Sequence, residues 1–278
     1  PPPADDTCWG VTAADQVEIA DVGLPAPFRR WFAQRGWTPR AHQLELLAKA
    51  RAGRSVLLIA PTGAGKTLAG FLPTLVELSQ TRAAADLSAL AGRGWRAAPG
   101  AAGAGRRASD GSGSGGPPPG SPLRSLPSSL RRRGEGRGLH TLYISPLKAL
   151  AVDIARNLER PVAEMGLPVR LETRTGDTPA SKRQRQRRHP PDILLTTPEQ
   201  LALLLASADA PYLFGTLRRV ILDELHALVT SKRGDLLSLG LARLFRLAPE
   251  LTAVGLSATV ADPDALCRFL VPQPARGV

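Results

Sequence analysis

Six short apolar segments, separated by longer stretches with helical spacing, are the feature that most constrains the fold. The segments are SVLLIA (55–60), HTLYIS (140–145), VRLET (169–173), DILLTT (192–197), RVILD (219–223) and TAVGLS (252–257). Strands that are apolar throughout are typical of sheets buried on both faces. The pattern therefore predicts an α/β fold with a central, mostly parallel sheet and helices on both faces.

Four stretches between these segments have apolar residues at helical spacing. They are residues 66–80, 147–165, 198–207 and 236–247. Parallel strands joined by helices bring their carboxyl ends to one edge of the sheet, where ligands bind in such folds. We therefore expect the functional residues directly after the strands.

Residues 81–138 differ from the rest of the chain in composition. They are rich in Gly, Pro, Ser and Arg and have no apolar period, so they cannot bury enough surface to offset the entropy of ordering. We interpret them as a disordered insertion in one domain that spans residues 25–278. Residues 1–24 are interpreted as an N-terminal extension.

The net charge of +12 is concentrated in two stretches. Residues 82–138 hold ten arginines and three acidic residues, and KRQRQRR (182–188) holds five basic residues. Together these stretches carry as much net positive charge as the whole chain, so the remainder is close to neutral. A nucleic-acid partner therefore cannot be argued from overall basicity.

The ends of the chain and its cysteines indicate a cellular location. The first residues, PPPADDTCWG, have no basic leader and no apolar core of a signal peptide. No apolar run approaches the ~20 residues that cross a membrane. Cys8 and Cys267 lie at opposite ends of the chain, which argues against a disulfide framework or a metal cluster. These features predict a cytoplasmic protein.

The stretch APTGAGKT (60–67) follows one predicted strand and opens the next predicted helix. Glycines in such a turn let successive N–H groups face a phosphate, and the helix N-terminus favours the same negative charge. The sequence predicts that a nucleotide contacts Pro61, Thr62, Gly63, Ala64, Gly65, Lys66 and Thr67. Lys66 would reach the terminal phosphates, and the hydroxyl of Thr67 would bind Mg²⁺.

A second motif, DELH (223–226), follows the strand RVILD. Because consecutive strand residues face opposite sides, Asp223 and Glu224 are expected to do different work. Asp223 would hold Mg²⁺, and Glu224 would orient the water that attacks the terminal phosphate. His226 is expected to link the nucleotide site to a neighbouring element.

These residues resemble a known family. APTGAGKT, DELH and SAT (257–259) look like motifs I, II and III of superfamily 2 DExH helicases. The intervening text, including LYISPLKALAVDIARNLERPV, TRTGDTPASKR and PPDILLTTPEQL, is similar to the Lhr (large helicase-related) family. The resemblance implies the first RecA-like P-loop NTPase domain of an ATP-dependent helicase.

The resemblance also implies roles for single residues. Gln43 in TPRAHQ matches the glutamine that reads adenine, and Ser257 and Thr259 join His226 in coupling the nucleotide state to domain movement. SPLKAL and TTPE match motifs that touch the backbone of a single strand. The implied nucleic-acid contacts are Pro146, Lys148, Thr175, Gly176, Thr197 and Pro198.

Members of the family hydrolyse ATP with Mg²⁺ and translocate on single-stranded DNA or RNA. They separate DNA or RNA–DNA duplexes, with a link to DNA repair. Their second RecA-like domain supplies arginine fingers, and we expect that domain to be absent from a chain that ends at Val278. Loss of such arginines costs about 10³–10⁵ in turnover, so we expect the 278 residues alone to bind ATP and hydrolyse it slowly.

Three alternatives are kept open. The closest is the first domain of a DExH RNA helicase. A P-loop ATPase or kinase for small molecules would need a substrate lid and its own arginines near the phosphates. A nucleic-acid adaptor without turnover would keep the fold but would not need Lys66, Asp223 and Glu224 together.

Overall fold

The computed structural model describes residues 9–12, 23–91, 138–258 and 260–272. The chain divides into two compact units, residues 1–80 with 137–278, and residues 81–136. The strands and every residue discussed below belong to the first unit. Of the second unit, the description covers only the helical residues 81–91.

The first unit is built on a parallel sheet. Its strands are β1 (Trp9–Thr12), β2 (Val56–Ile59), β3 (Thr141–Ile144), β4 (Leu171–Arg174), β5 (Ile193–Thr196), β6 (Arg219–Leu222) and β7 (Thr252–Ser257). Their order is β1-β2-β7-β6-β3-β5-β4, and every neighbouring pair is parallel. The carboxyl ends of all these strands therefore lie along one edge.

Helices cover both faces of the sheet. They are α1 (Ala26–Gln34), α2 (Ala41–Arg51), α3 (Lys66–Ala91), α4 (Lys148–Glu164), α5 (Ala180–Arg188), α6 (Pro198–Ala206), α7 (Ala210–Phe214), α8 (Leu225–Val229), α9 (Lys232–Leu247) and α10 (Pro263–Leu270). Strand residues alternate between two apolar cores. Leu58 packs with α1 to α4, whereas its neighbour Leu57 packs with α6 to α10. The predicted α/β architecture is confirmed.

The six predicted strands and the four predicted helices are present, and the differences lie at the edges. β1 lies inside the predicted N-terminal extension and pairs with β2. α3 continues to Ala91, eleven residues into the segment predicted to be structureless, so that prediction is wrong for its first residues. The remainder of the predicted insertion, residues 92–137, lies outside the described residues.

Within the described residues, no helix has the length and hydropathy that a membrane span requires.

A buried ionic network ties α3 to β3 and β6. The Arg219 guanidinium, only 3% exposed, donates to both carboxylate oxygens of Glu77 at 2.7 and 3.1 Å. His140 lies 3.2 Å from the same carboxylate. The hydroxyl groups of Thr74 and Thr141 lie 2.9 Å apart beside it. Burial alone would raise the pKa of Glu77, but hydrogen bonds from His140 and Arg219 and the Arg219 charge lower it to about 2.

We expect this network to make stability depend on pH. Because the pKa of Glu77 in the folded chain lies below its ordinary value of 4.5, its stabilisation is present above that value and is lost as pH falls toward 2. The Glu77→Gln variant, which leaves the buried Arg219 charge uncompensated, should lose about 1–3 kcal/mol of unfolding free energy at pH 7. Denaturant titration between pH 7 and 3 measures both effects.

The control is Glu250→Gln. Glu250 pairs with Arg218, and both side chains are more than half exposed, so its loss should change the unfolding free energy little. Equal effects of Glu77→Gln and Glu250→Gln would show that the network contributes nothing to stability.

Candidate nucleotide and strand-contact site

The loop of residues 60–67 joins β2 to α3 through two left-handed residues. Gly63 has φ of +82° and Gly65 has φ of +78°, a region that residues with a Cβ rarely occupy. A Cβ at Gly65 would also lie 2.9 Å from Nε2 of Gln43. The loop therefore depends on glycine at this position for its conformation, and a Cβ here would also displace the Gln43 amide.

The carbonyl groups of this loop are held from the side of α2. The Gly63 carbonyl accepts from Arg40 at 3.4 Å, and the Ala64 carbonyl accepts from Nε2 of His42 at 3.1 Å. The Gly65 carbonyl accepts from Nε2 of Gln43 at 3.5 Å. In a planar trans peptide the N–H points opposite to the C=O. The N–H groups that follow Ala64 and Gly65 therefore point away from α2, as an anion-binding loop requires.

The sequence predicted Gln43 but missed Arg40 and His42. Gln43 is buried, and its Oε1 also accepts from the Arg40 N–H at 3.0 Å, so the structure brings it against the loop. Burial lowers the pKa of His42, which keeps the ring neutral while it donates to the loop. The reading of adenine by Gln43 stays a prediction.

The base of the loop is anchored to β7. The Ala60 N–H donates to the Ser257 carbonyl at 3.1 Å. The ammonium group of Lys66, 9% exposed, donates to the Ala60 carbonyl at 2.7 Å. Lys66 is thus held inside the loop rather than extended into solvent, at the place from which it would reach a phosphate.

A backbone turn separates the side chains of Asp223 and Glu224. β6 ends at Leu222, and Glu224 has φ of +49° and ψ of +45°, a left-handed conformation that is uncommon outside glycine. The alternation expected of consecutive strand residues is therefore not what separates them. The turn places the Glu224 N–H 3.0 Å from Oδ1 of Asp223 and begins α8.

Tyr143 completes the surroundings of Asp223. Its hydroxyl donates to Oδ2 of Asp223, and its ring stacks on Phe71 of α3 with centroids 5.2 Å apart. Burial and the nearby Asp223 charge raise the pKa of Tyr143, so the hydroxyl keeps its proton. Burial raises the pKa of Asp223 against the hydrogen bonds that it accepts. Sequence reasoning assigned Tyr143 only to a strand.

His226 connects the turn to β7. Its Nδ1 lies 2.9 Å from Oγ of Ser257, and its Nε2 lies 3.6 Å from Oε2 of Glu224. Two predicted coupling residues, His226 and Ser257, are thus in contact with each other, and His226 also lies beside Glu224. Thr259, the third, lies outside the described residues.

The site suits a cation that is bound partly by protein oxygens and partly by the phosphate oxygens of a nucleotide. Thr67 and Asp223 offer the oxygen ligands that Mg²⁺ prefers. Within the described residues, no group of three or more His, Cys, Asp or Glu could hold a metal by itself. Mg²⁺ usually binds through one or two carboxylates together with substrate phosphates, so this donor set fits.

The predicted strand contacts follow β3, β4 and β5 at the same edge of the sheet. Lys148 and Gly176 are exposed, whereas Thr175, Thr197 and Pro198 are buried and Pro146 is half-buried. The ammonium of Lys148 lies 2.8 Å from Oδ2 of Asp177, which joins the loop after β3 to the loop after β4.

Arg183 of α5 stabilises the loop after β4 through hydrogen bonds to its backbone. It donates to the carbonyls of Thr175, Gly176 and Thr178. Two other arginines of the same basic helix pair with acidic residues: Arg185 with Glu172 at 2.9 Å and Arg187 with Asp209. Much of the charge in KRQRQRR is therefore used within the fold.

A family model described as DEAD/DEAH box helicase matches residues 40–266. The chain belongs to this family. The match covers the glycine loop, DELH and the loops after β3, β4 and β5, so every predicted site residue lies within it.

Individual relatives confirm the resemblance to Lhr. The Lhr helicase/probable uracil glycosylase of Mycolicibacterium smegmatis is 36% identical over 256 residues, 88% of this chain and 14% of that protein. The ATP-dependent helicase Lhr-Core of Methanothermobacter thermautotrophicus is 37% identical over 228 residues, 79% of this chain and 21% of that protein. The chain thus spans a quarter or less of these relatives.

A solved structure supports the same assignment. The structure of Mycobacterium smegmatis helicase Lhr bound to ssDNA and AMP-PNP matches with a TM-score of 0.66 and 32% identity. The match covers 91% of this chain and 27% of that one. It confirms the RecA-like fold class.

We expect Tyr143→Phe to weaken Mg²⁺-dependent nucleotide binding. Phe keeps the stacking on Phe71 but removes one of the hydrogen bonds to the Asp223 carboxylate, a loss of about 1–2 kcal/mol or 5- to 30-fold in affinity. Titration of a fluorescent ADP with MgCl₂ measures this loss, and the same titration in EDTA should show no change. An equal loss in EDTA would place the defect in the glycine loop instead.

Proposed function

We propose that this chain is the first, nucleotide-binding motor domain of an ATP-dependent helicase or translocase that moves on single-stranded nucleic acid. The observation that carries the proposal is the division of one sheet edge into two adjoining sites. The glycine loop, DELH and Ser257 follow β2, β6 and β7, whereas the strand-contact loops follow β3, β4 and β5. Tyr143 of β3 contacts Asp223 at the boundary.

We call the glycine loop, DELH and Ser257 the nucleotide half of the edge. Each side chain that we propose for the nucleotide has its own task. The Lys66 ammonium would neutralise the terminal phosphates, and Gln43 would recognise the adenine. Thr67 and Asp223 would hold Mg²⁺, which supplies positive charge to the phosphate oxygens when bound. The Glu224 carboxylate would orient the attacking water, since the left-handed turn directs it away from Asp223.

The His226–Ser257 contact would transmit the state of the nucleotide site. His226 touches both Glu224 and Ser257, so a shift of the Glu224 carboxylate changes the hydrogen bond to β7. In the full-length protein we propose that the sheet edge at which β7 ends faces a second RecA-like domain, and that Thr259 takes part in the coupling. That domain would supply the arginines for fast hydrolysis.

We call the loops after β3, β4 and β5 the strand half of the edge. There, backbone groups and Lys148 would contact the phosphates of a nucleic-acid strand. Exposed Gly176 and the N-terminal turn of α4 would offer N–H groups that bind phosphate without reading bases. We favour single-stranded DNA as the partner because the Lhr structure that is 32% identical is bound to ssDNA. Tighter binding of single-stranded RNA of equal length would instead indicate the first domain of an RNA helicase. The cytoplasmic location remains a prediction from the cysteine content.

The first test is nucleotide binding and strand-stimulated hydrolysis by the 278-residue chain. Lys66→Ala should abolish Mg·ATP binding because it removes the buried ammonium at the phosphate site. Glu224→Gln should retain binding and lose the residual hydrolysis. Lys49→Ala, which removes a lysine that pairs with Glu45 on α2, is the control and should bind normally. Undiminished binding in Lys66→Ala would exclude the proposed nucleotide site.

A second test concerns Asp177. Its carboxylate pairs with Lys148, and both side chains are well exposed, so the pair is worth only about 0.2–1 kcal/mol. A strand phosphate must compete with this carboxylate, and Asp177→Asn should therefore raise single-strand affinity about two- to fivefold at low salt. Fluorescence anisotropy with labelled oligo-dT measures it, and Asp209→Asn is the control with the same charge change. Weaker binding of Asp177→Asn would show that Lys148 does not engage the strand.

A further inference from the structure

Arg233, at the start of α9, lies between the two motifs that follow β3 and β5. Its Nη1 donates to the Pro146 carbonyl at 2.9 Å, and its Nε lies 2.8 Å from Oε1 of Glu199. Pro146 belongs to the loop after β3, and Glu199 lies in the first turn of α6, after β5. One guanidinium group thus joins two neighbouring strand-contact segments.

A close helix contact fixes this position of Arg233. A Cβ on Gly234 would lie 2.6 Å from the Leu228 carbonyl oxygen and 2.8 Å from that of Val229. Only glycine therefore allows the first turn of α9 to rest directly on the end of α8. Because α8 begins immediately after Glu224, the two helices in contact connect the DELH turn to Arg233.

The charge of Arg233 is already engaged. Glu199 neutralises it, and the carbonyl of Pro146 takes a second N–H, although the side chain is half exposed. A planar guanidinium can serve two acceptors at once, which a lysine ammonium does less well. Arg233 therefore contacts segments of the chain itself, and its charge is not kept for a phosphate.

We propose that Arg233 is a positioning residue that sets the spacing of the segments after β3 and β5 to match a bound strand. It thereby connects the DELH turn to the strand contacts by a route separate from Tyr143. This inference rests on the proposed function, because it names a residue on which strand binding by the same edge depends. Arg233 itself does not contact the strand.

The test is the salt dependence of binding by the full 278-residue chain to labelled oligo-dT. Arg233→Ala should weaken binding about tenfold at 100 mM salt without changing the slope of log affinity against log salt. A residue that contacts phosphate directly would lower that slope by about 0.7. The affinity for fluorescent ADP with MgCl₂ should stay at the wild-type value.

Three variants sharpen the result. Glu199→Gln should reproduce part of the loss, and Arg233→Lys should fail to restore full affinity because one ammonium cannot keep both contacts. Arg187→Ala is the matched control: it removes the same charge from a pair of similar exposure, with Asp209, and should bind almost as wild type. A reduced slope in Arg233→Ala, or full rescue by Lys, would overturn the positioning role.

Amide hydrogen exchange separates this inference from the proposed function. Arg233→Ala should speed exchange in residues 145–149 and 197–201 without any strand present. Unchanged exchange together with unchanged strand affinity would refute the positioning role while leaving the proposed function intact. A wild-type chain that binds no single strand would instead refute the proposed function, and faster exchange would then support only the contact between the two segments.

Discussion

Parallel pairing of the strands is the constraint on which everything else in this structure depends. Because all the strands run in one direction, each motif leaves the sheet at the same edge, although the motifs are far apart in sequence. The order β2-β7-β6-β3-β5-β4 then decides which motifs are neighbours. Loops after β2, β7 and β6 form the proposed nucleotide half, and loops after β3, β5 and β4 form the proposed strand half. β6 and β3 meet at the boundary, where Tyr143 donates to Asp223.

The parts of the fold that sequence predicted are those with strong apolar patterns. The central strands were found because burial on both faces demands continuous apolar runs such as SVLLIA. α5 was missed because ASKRQRQRR has no apolar period. That helix is held instead by polar contacts, among them the Gln186 amide with Glu172 at 2.9 Å and with the Thr173 carbonyl at 3.1 Å. Such contacts exist only once β4 is in place, so local spacing cannot indicate them.

The candidate site shows the same division. The glycine loop and DELH carry their chemistry in consecutive residues. The structure places Lys66 after β2, and Asp223, Glu224 and His226 after β6, at the same edge of the sheet. Residues that support them were missed because their partners are distant in sequence. Tyr143 lies 80 positions before Asp223, and Arg233 lies 87 positions after Pro146. In sequence the first belongs to a predicted strand, and the second lies outside every predicted strand and helix.

Several arginines of this chain contact other residues of the fold and leave fewer basic side chains for a nucleic-acid partner. Arg219 neutralises Glu77 inside the fold, Arg183 fills the carbonyl side of one loop, and Arg233 joins two segments. Arg183 and Arg233 donate to backbone carbonyls of the loops after β4 and β3. Arginines that contact the loops of the chain itself therefore shape this part of the edge, and we propose that N–H groups and Lys148 make its direct phosphate contacts.

The left-handed turn at Glu224 has a consequence for how this sequence can change. A residue with a Cβ pays roughly 1–2 kcal/mol to adopt this conformation, and glycine or asparagine would pay less. Selection for thermal stability alone would therefore favour replacing the carboxylate that we propose orients the attacking water. If that role holds, folding and turnover have opposed preferences at position 224. A stabilised descendant of this domain that kept its nucleotide loop but lost this glutamate would then be an ATP-gated binding module instead of a motor.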